Sequence, residues 1–208
     1  MEARTQKVFA EYTARAAEEA RLMQRLSPQE AMSRLDEFLL PIGEETGELI
    51  RLLVRSARPR TILEIGTSYG YSTLYLAEAA REVGARVITM ELAAHKSAYA
   101  RDALERAGLA EHVEFQVGDA LELLPKLAQS LDFVLIDLWK DLYVRCFDLI
   151  RGRLSTGAII IADNMLYPLE ARPAAEAYRR HVRELRMDSV LLPVGSGIEL
   201  SRNAAAPA

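Results

Sequence analysis

The sequence predicts an α/β protein: a mostly parallel seven-stranded sheet with a C-terminal antiparallel hairpin and extra N-terminal helices. Three observations predict it. From Thr61 onward, short apolar runs alternate with helical periods, the pattern of a parallel sheet with helices on both faces. Two of these runs, Phe133-Val-Leu-Ile-Asp137 and Ile159-Ile-Ile-Ala-Asp163, lack polar alternation and read as strands buried on both sides. The final two runs are joined by Gly195-Ser-Gly197, a turn suited to antiparallel neighbours.

The elements follow in order. Residues to about Leu26 are rich in Ala, Glu and Arg and read as helix. Ser27-Pro-Gln-Glu30 is a capping box with proline at the first helical position. Leu40-Pro-Ile-Gly43 breaks that second helix, and a third runs from Glu44 to about Ser56. Strands are expected at Thr61–Ile65, Arg86–Glu91, Val113–Val117, Phe133–Asp137 and Ala158–Ala162. Helices are expected near Ser72–Glu82, His95–Ala107, Leu121–Leu127 and Tyr143–Arg153, the second stopped by Gly108 and the last by Gly157. Pro173 opens another helix to about Leu185, strands near Ser189–Pro193 and Gly197–Arg202 follow, and Asn203 begins a frayed tail. The organisation is one domain: a helical extension over 1–40, a core over 41–202 and a tail over 203–208.

Composition narrows the function. Half the residues are hydrophobic and the net charge is −4, with acids and bases interspersed. Nucleic acid as the main partner would call for a basic stripe. No apolar run approaches a membrane span, and the charged N-terminus lacks an apolar signal core. A single cysteine, Cys146, fits a reducing cytosol. The expectation is a cytoplasmic enzyme or binding protein, with no nucleic acid and no membrane among its partners.

The two buried strands and the helix between them form one β-α-β unit, which makes the strands neighbours. Asp137, Asp163 and Asn164 then meet at the carboxyl edge of the sheet, where open α/β proteins bind ligands. Three hard oxygen ligands suit Mg²⁺, or another hard divalent cation such as Mn²⁺ or Ca²⁺. Lys140 stands three residues past Asp137, beside the same site.

The first strand runs into a glycine turn, Thr61-Ile-Leu-Glu-Ile-Gly-Thr-Ser-Tyr-Gly-Tyr-Ser-Thr73. Gly66 and Gly70 let backbone approach a ligand closely. Glu91 closes the next strand, where an acidic side chain accepts ribose hydroxyls. Gly118, Asp119 and Ala120 lie at the third strand end, facing an adenine edge. The run lacks the G-x-G-x-x-G spacing that seats a pyrophosphate on a helix N-terminus. A nucleoside cofactor without pyrophosphate fits better, which points to S-adenosylmethionine rather than NAD.

LEIGTSYGYS, the acid of ITMEL, VGDA, and LDFVLIDLWKDLY followed by IIIADN together resemble the cation-dependent O-methyltransferases, such as the catechol and caffeoyl-CoA enzymes. The resemblance runs from about Leu40 to the C-terminus and implies a Rossmann-like class I methyltransferase fold. It implies that Glu64, Gly66, Tyr71 and Ser72 line the methionine and ribose side of S-adenosylmethionine, with Ile42 and Gly43 closing over it. Glu91 would hold the ribose, Asp119 and Ala120 would face the adenine, and Trp139 would pack against it. Asp137, at the junction with the cofactor, would join Asp163 and Asn164 around Mg²⁺, and Lys140 would be the general base. The acceptor implied is a small catechol-type or caffeoyl-like phenol, and a homodimer is expected. The alternatives are a metal-independent methyltransferase of another acceptor and an NAD(P)-dependent oxidoreductase.

Two positions depart from the catechol enzyme. Leu138 replaces a histidine between the aspartate and the tryptophan, and Val190 or Leu191 stands where a glutamate orients the second hydroxyl. Blander roles compete elsewhere. Asp137 and Asp163 would serve equally as helix caps, Trp139 as core packing, and Tyr69 as an acceptor-pocket wall or a surface residue. Cys146 reads as core, and His95, His112 and His181 lack partners at ligand spacing. The N-terminal segment reads as a solvated amphipathic helix, with a dimer arm or a lid over the acceptor site as the sharper alternative.

Overall fold

The computed structural model describes residues 2–204. Seven strands form one sheet in the order β3-β2-β1-β4-β5-β7-β6. They are β1 (Thr61–Ile65), β2 (Arg86–Glu91), β3 (Val113–Val117), β4 (Leu131–Ile136), β5 (Leu154–Ala162), β6 (Asp188–Leu192) and β7 (Ile198–Arg202). The first five pair parallel, and β7 inserts antiparallel between β5 and β6. The expected fold class and hairpin are both present.

Alternate residues of each central strand face opposite layers. Ile62, Val87, Phe133 and Ile161 pack with α3 (Glu44–Ala57), α4 (Tyr71–Val83) and α5 (Ala94–Ala107). Leu63, Ile88, Val134 and Ile160 pack on the other side with α7 (Tyr143–Arg151) and α8 (Arg172–Glu184), beside the single turn α6 (Ala120–Leu123). Each fully buried Leu or Ile contributes roughly 1.5–3 kcal/mol, so continuous apolar strands suit a sheet covered on both faces. Cys146 is buried in the second layer, as core.

Several boundaries differ from expectation for local reasons. The helix expected over Leu121–Leu127 divides into α6 and a 3₁₀ turn at Leu124–Lys126, because Pro125 cannot donate to the α ladder. The helix expected to reach Arg153 ends at Arg151, capped by Gly152. Leu154 already pairs with Leu131 across a bulge, so Gly157, with φ +84°, lies inside β5 and is no helix stop. Asn203 is not frayed. Its side-chain amide donates to the carbonyls of Leu154 and Ser155, and its N–H donates to Ala158 O at 2.8 Å. The remainder of the expected tail, from 205, lies outside the described residues.

The N-terminal helices are α1 (Ala3–Met23) and α2 (Pro28–Ser33), the latter opened by the capping box of Ser27 and Glu30. α2 is shorter than its sequence pattern and gives way to a 3₁₀ turn at Leu35–Glu37. α1 lies against α4 and α5 of its own chain, burying Thr5, Val8 and Tyr12. It is therefore not fully solvated. Among the described residues, no helix is long and apolar enough to cross a membrane.

Candidate active site

The backbone ladder continues one step past the strands. Asp137 N–H donates to Ile65 O at 2.9 Å, and Asp163 N–H donates to Ile136 O at 3.1 Å. Asp137 and Asp163 thus occupy adjacent positions at the carboxyl edge. Gly66 makes this approach feasible, since a Cβ there would lie 1.9 Å from Asp137 O, and its φ is +103°. Asn164 takes the left-handed conformation, φ +55°, which asparagine tolerates better than most residues.

That turn brings the Asn164 amide to Lys140. The Lys140 ammonium donates to Asn164 Oδ1 at 2.9 Å, Tyr143 Oη at 2.8 Å and Leu138 O at 3.0 Å. Its three protons are thereby all directed, with Asp137 Oδ1 3.9 Å away. The Tyr143 hydroxyl in turn donates to Asp163 O at 3.3 Å. The structure therefore brings Asp137, Lys140, Asp163 and Asn164 together as the sequence predicts.

The electrostatics are those of a site short of positive charge. Asp163 is buried, and its Oδ1 has no hydrogen-bond partner among the described residues. Burial, reinforced by the Asp137 carboxylate, pushes the Asp163 carboxyl up to about 7. Burial also raises Asp137, against the pull of the Lys140 ammonium. Lys140 is pushed below the usual lysine range by burial, opposed by both aspartates. Among the described residues, no three His, Cys, Asp or Glu side chains gather as a metal cluster. The candidate set is two carboxylates and one amide oxygen. Those donors, one of them an orphaned buried oxygen, fit a hard divalent cation that completes its shell with water or acceptor oxygens.

On the cofactor side, the Glu91 carboxylate is fixed by two backbone donors, Ser68 N–H at 2.7 Å and Ala93 N–H at 2.9 Å. Ser68 itself is left-handed, φ +47°. Glu64 is placed differently from the expectation of a ligand-lining side chain. It is fully buried and accepts from Ser72 Oγ at 2.5 Å and from Thr73 and Thr89 hydroxyls at 2.6 Å each. Burial raises its carboxyl to about 7 despite those donors. What Glu64 offers a ligand is a fixed Ser72, because its own oxygens are occupied.

The other sequence candidates also have definite places. Ile42 is buried, and Gly43, φ +84°, caps α3. The Tyr71 ring turns toward α1 and packs on Phe9 and Tyr75, so its backbone, not its phenol, borders the loop. Gly118 N–H donates to Glu91 O at 2.9 Å, which brings the third strand end beside the second. Asp119 caps α6 through Leu121 N–H, with Ala120 as the first helical residue. Trp139 is 63 % exposed, which removes its core-packing role and leaves the indole free for a ligand.

Tyr69 is not a surface residue. It is buried, stacked under Arg15, and its hydroxyl donates to Asp36 O. Val190 is half exposed and pairs with Leu200 in the hairpin, and Leu191 pairs with Glu199. Glu199 is buried against Arg179 at 2.6 Å. His181 pairs with Asp148, away from the site. Sequence reasoning assigned no role to Tyr143 or Ser68. For Tyr143 a signal was present, a hydroxyl one helical turn from Lys140.

Comparison with known proteins identifies the family. A family model described as O-methyltransferase matches residues 13–204. Mouse (Mus musculus) catechol O-methyltransferase is 31% identical over 154 residues, covering 68% of this chain and 58% of the mouse protein. Caffeoyl-CoA O-methyltransferase 2 of Eucalyptus globulus is 30% identical over 186 residues, covering 79% and 75%. An O-methyltransferase from Bacillus cereus, solved with SAH, superposes with TM-score 0.72 at 26% identity, covering 98% of this chain and 91% of that one. TomG from Streptomyces achromogenes, solved with SAM, gives TM-score 0.71 at 27% identity, covering 94% and 99%. The chain belongs to the O-methyltransferase family. Its sheet is the class I methyltransferase sheet, and this membership sets aside the oxidoreductase alternative.

Proposed function

We propose that this protein transfers a methyl group from S-adenosylmethionine to a hydroxyl of a small vicinal-dihydroxy phenol, assisted by Mg²⁺ or a similar hard cation. The observation that carries the reading is the orphaned carboxylate oxygen of Asp163, set beside Asp137, Asn164 and Lys140. The names of the relatives, catechol and caffeoyl-CoA O-methyltransferases, support the acceptor class.

When bound, the sulfonium cofactor supplies an electrophilic methyl, and the cation lowers the pKa of a neighbouring hydroxyl. Asp137, Asp163 and Asn164 would hold the cation. Glu91 would accept the ribose hydroxyls with an orientation already fixed by Ser68 and Ala93. Gly66 and Gly70 allow the loop to follow the ligand closely, and the exposed Trp139 indole offers a face for the adenine. Lys140 Nζ would act as the neutral amine, a form that burial favours: having released one of its three protons, it would take the proton from the acceptor hydroxyl. Tyr143 and Asn164 keep that nitrogen in place. Fixing donor and acceptor in line supplies much of the remaining rate.

A second reading is metal-independent transfer. It is favoured by Asn164 Oδ1, which already accepts from Lys140 and so has a role without a cation. Incubation with labelled S-adenosylmethionine and a panel of catechols and caffeoyl-like phenols tests the function. Methylated product is expected from the vicinal diols. Transfer to none of them, or equally well to monophenols, overturns the acceptor class.

A further inference from the structure

We propose that Tyr12, on the N-terminal helix, is a positioning residue for the cofactor loop, so that α1 completes the binding site from outside the sheet. This rests on the reading above, in which residues 66–72 receive S-adenosylmethionine. The Tyr12 hydroxyl donates to the backbone carbonyl of Tyr69, in the middle of that loop. A Cβ on Gly70 would lie 3.5 Å from the same hydroxyl. Tyr12 is almost fully buried, with its ring against Tyr71 and Tyr99. Arg15, one turn further along α1, stacks over the Tyr69 ring at 4.3 Å, and Tyr69 Oη donates to Asp36 O at 3.0 Å.

The loop is thus gripped from two sides. On the inner side, Ser68 N–H donates to Glu91. On the outer side, Tyr12 holds the next residue's carbonyl. Ser68 and Gly70 both have positive φ, +47° and +91°, a conformation that a non-glycine residue such as Ser68 keeps only when its surroundings impose it. Releasing the outer grip lets the loop relax, and with it the orientation of Glu91. Binding then carries an ordering cost that the intact loop has already met.

The test compares Tyr12→Phe, which deletes one hydroxyl and keeps the ring, with Thr5→Val. Thr5 Oγ donates to Ala107 O at 3.2 Å, so it ties the same helix down far from the loop. In Tyr12→Phe, Kd for S-adenosylhomocysteine and KM for S-adenosylmethionine are expected to rise about 3- to 10-fold, with kcat at saturation within about 2-fold. Amide exchange at residues 68–70 is expected to speed up. Thr5→Val lowers stability without moving either binding constant. Should Tyr12→Phe not fold, Arg15→Gln loosens the same loop through the Tyr69 ring and is expected to weaken binding likewise. Unchanged binding in a folded loop variant, or an equal change in Thr5→Val, overturns the proposal alone. A wild-type chain that binds no S-adenosylhomocysteine overturns the underlying reading as well.

Discussion

Lys140 Nζ and Asn164 Oδ1 are 2.9 Å apart, so the proposed base and a proposed metal ligand share one hydrogen bond. The amine is positioned by residues that do not depend on the cofactor. Lys140→Met is therefore expected to lower kcat about 10²- to 10⁴-fold, the range for a lost general base, while S-adenosylhomocysteine affinity stays within about 2-fold. Turnover assays and calorimetric binding measured on one preparation check this. Parallel losses in both would place Lys140 in cofactor binding instead.

Asp163 makes stability depend on pH. Its carboxyl is raised to about 7 in the folded protein, against about 3.9 in an unfolded chain. The folded state therefore keeps a proton that the unfolded state has released across this window. Stability contributed by that proton is present below pH about 4 and lost as pH rises through about 7. In chelator, urea unfolding at pH 5 and pH 8 is expected to show the loss, on the order of 1–3 kcal/mol. Asp163→Asn is expected to reduce it. Glu64, raised to a similar value, supplies the remaining slope, which Glu64→Gln should remove. With Mg²⁺ present the dependence reverses, because cation and proton compete for the same oxygens.

Glu91 is presented to the ribose by two backbone donors. Glu91→Ala is expected to weaken S-adenosylhomocysteine binding about 10- to 100-fold, the loss of charge-assisted hydrogen bonds. Glu91→Gln keeps one acceptor oxygen and should fall between the two. Titration calorimetry orders the three proteins.

Two glycines give opposite outcomes. Gly66→Ala would place a Cβ 1.9 Å from Asp137 O at φ +103°, and neither side of that contact is a flexible side chain. It is expected to abolish cofactor binding or folding. Gly152→Ala meets nothing within 4 Å and has φ −69°. It should change stability by about 0.5 kcal/mol or less. Thermal unfolding of the pair measures the contrast.

The sheet and the meeting of Asp137, Asp163 and Asn164 were legible because strand ends carry their own markers. An apolar run that stops at a carboxylate fixes both the strand and the edge where its side chain emerges. Asn203 and Gly157 were misread because their roles depend on pairing across β5, which no local pattern encodes. The family resemblance made Glu64 a cofactor-lining residue. Its burial arises from Thr89 on the neighbouring strand and Ser72 and Thr73 on α4, partners that only the fold brings together. The docking of α1 was hidden for the same reason, since Tyr12 and Tyr69 meet across 57 positions. Acceptor specificity was the least legible part. Leu138 and Val190 mark what differs from the catechol enzyme without encoding what replaces it.

If Asp137, Asp163 and Asn164 hold a cation which the reaction needs, removing it stops turnover. Methyl transfer to a catechol should be measured after EDTA treatment and again after Mg²⁺ is restored. Loss of turnover with the chelator, recovery with Mg²⁺, and no recovery in Asp163→Ala are expected. Turnover indifferent to EDTA, and unchanged in Asp163→Ala, would contradict that role for the cation.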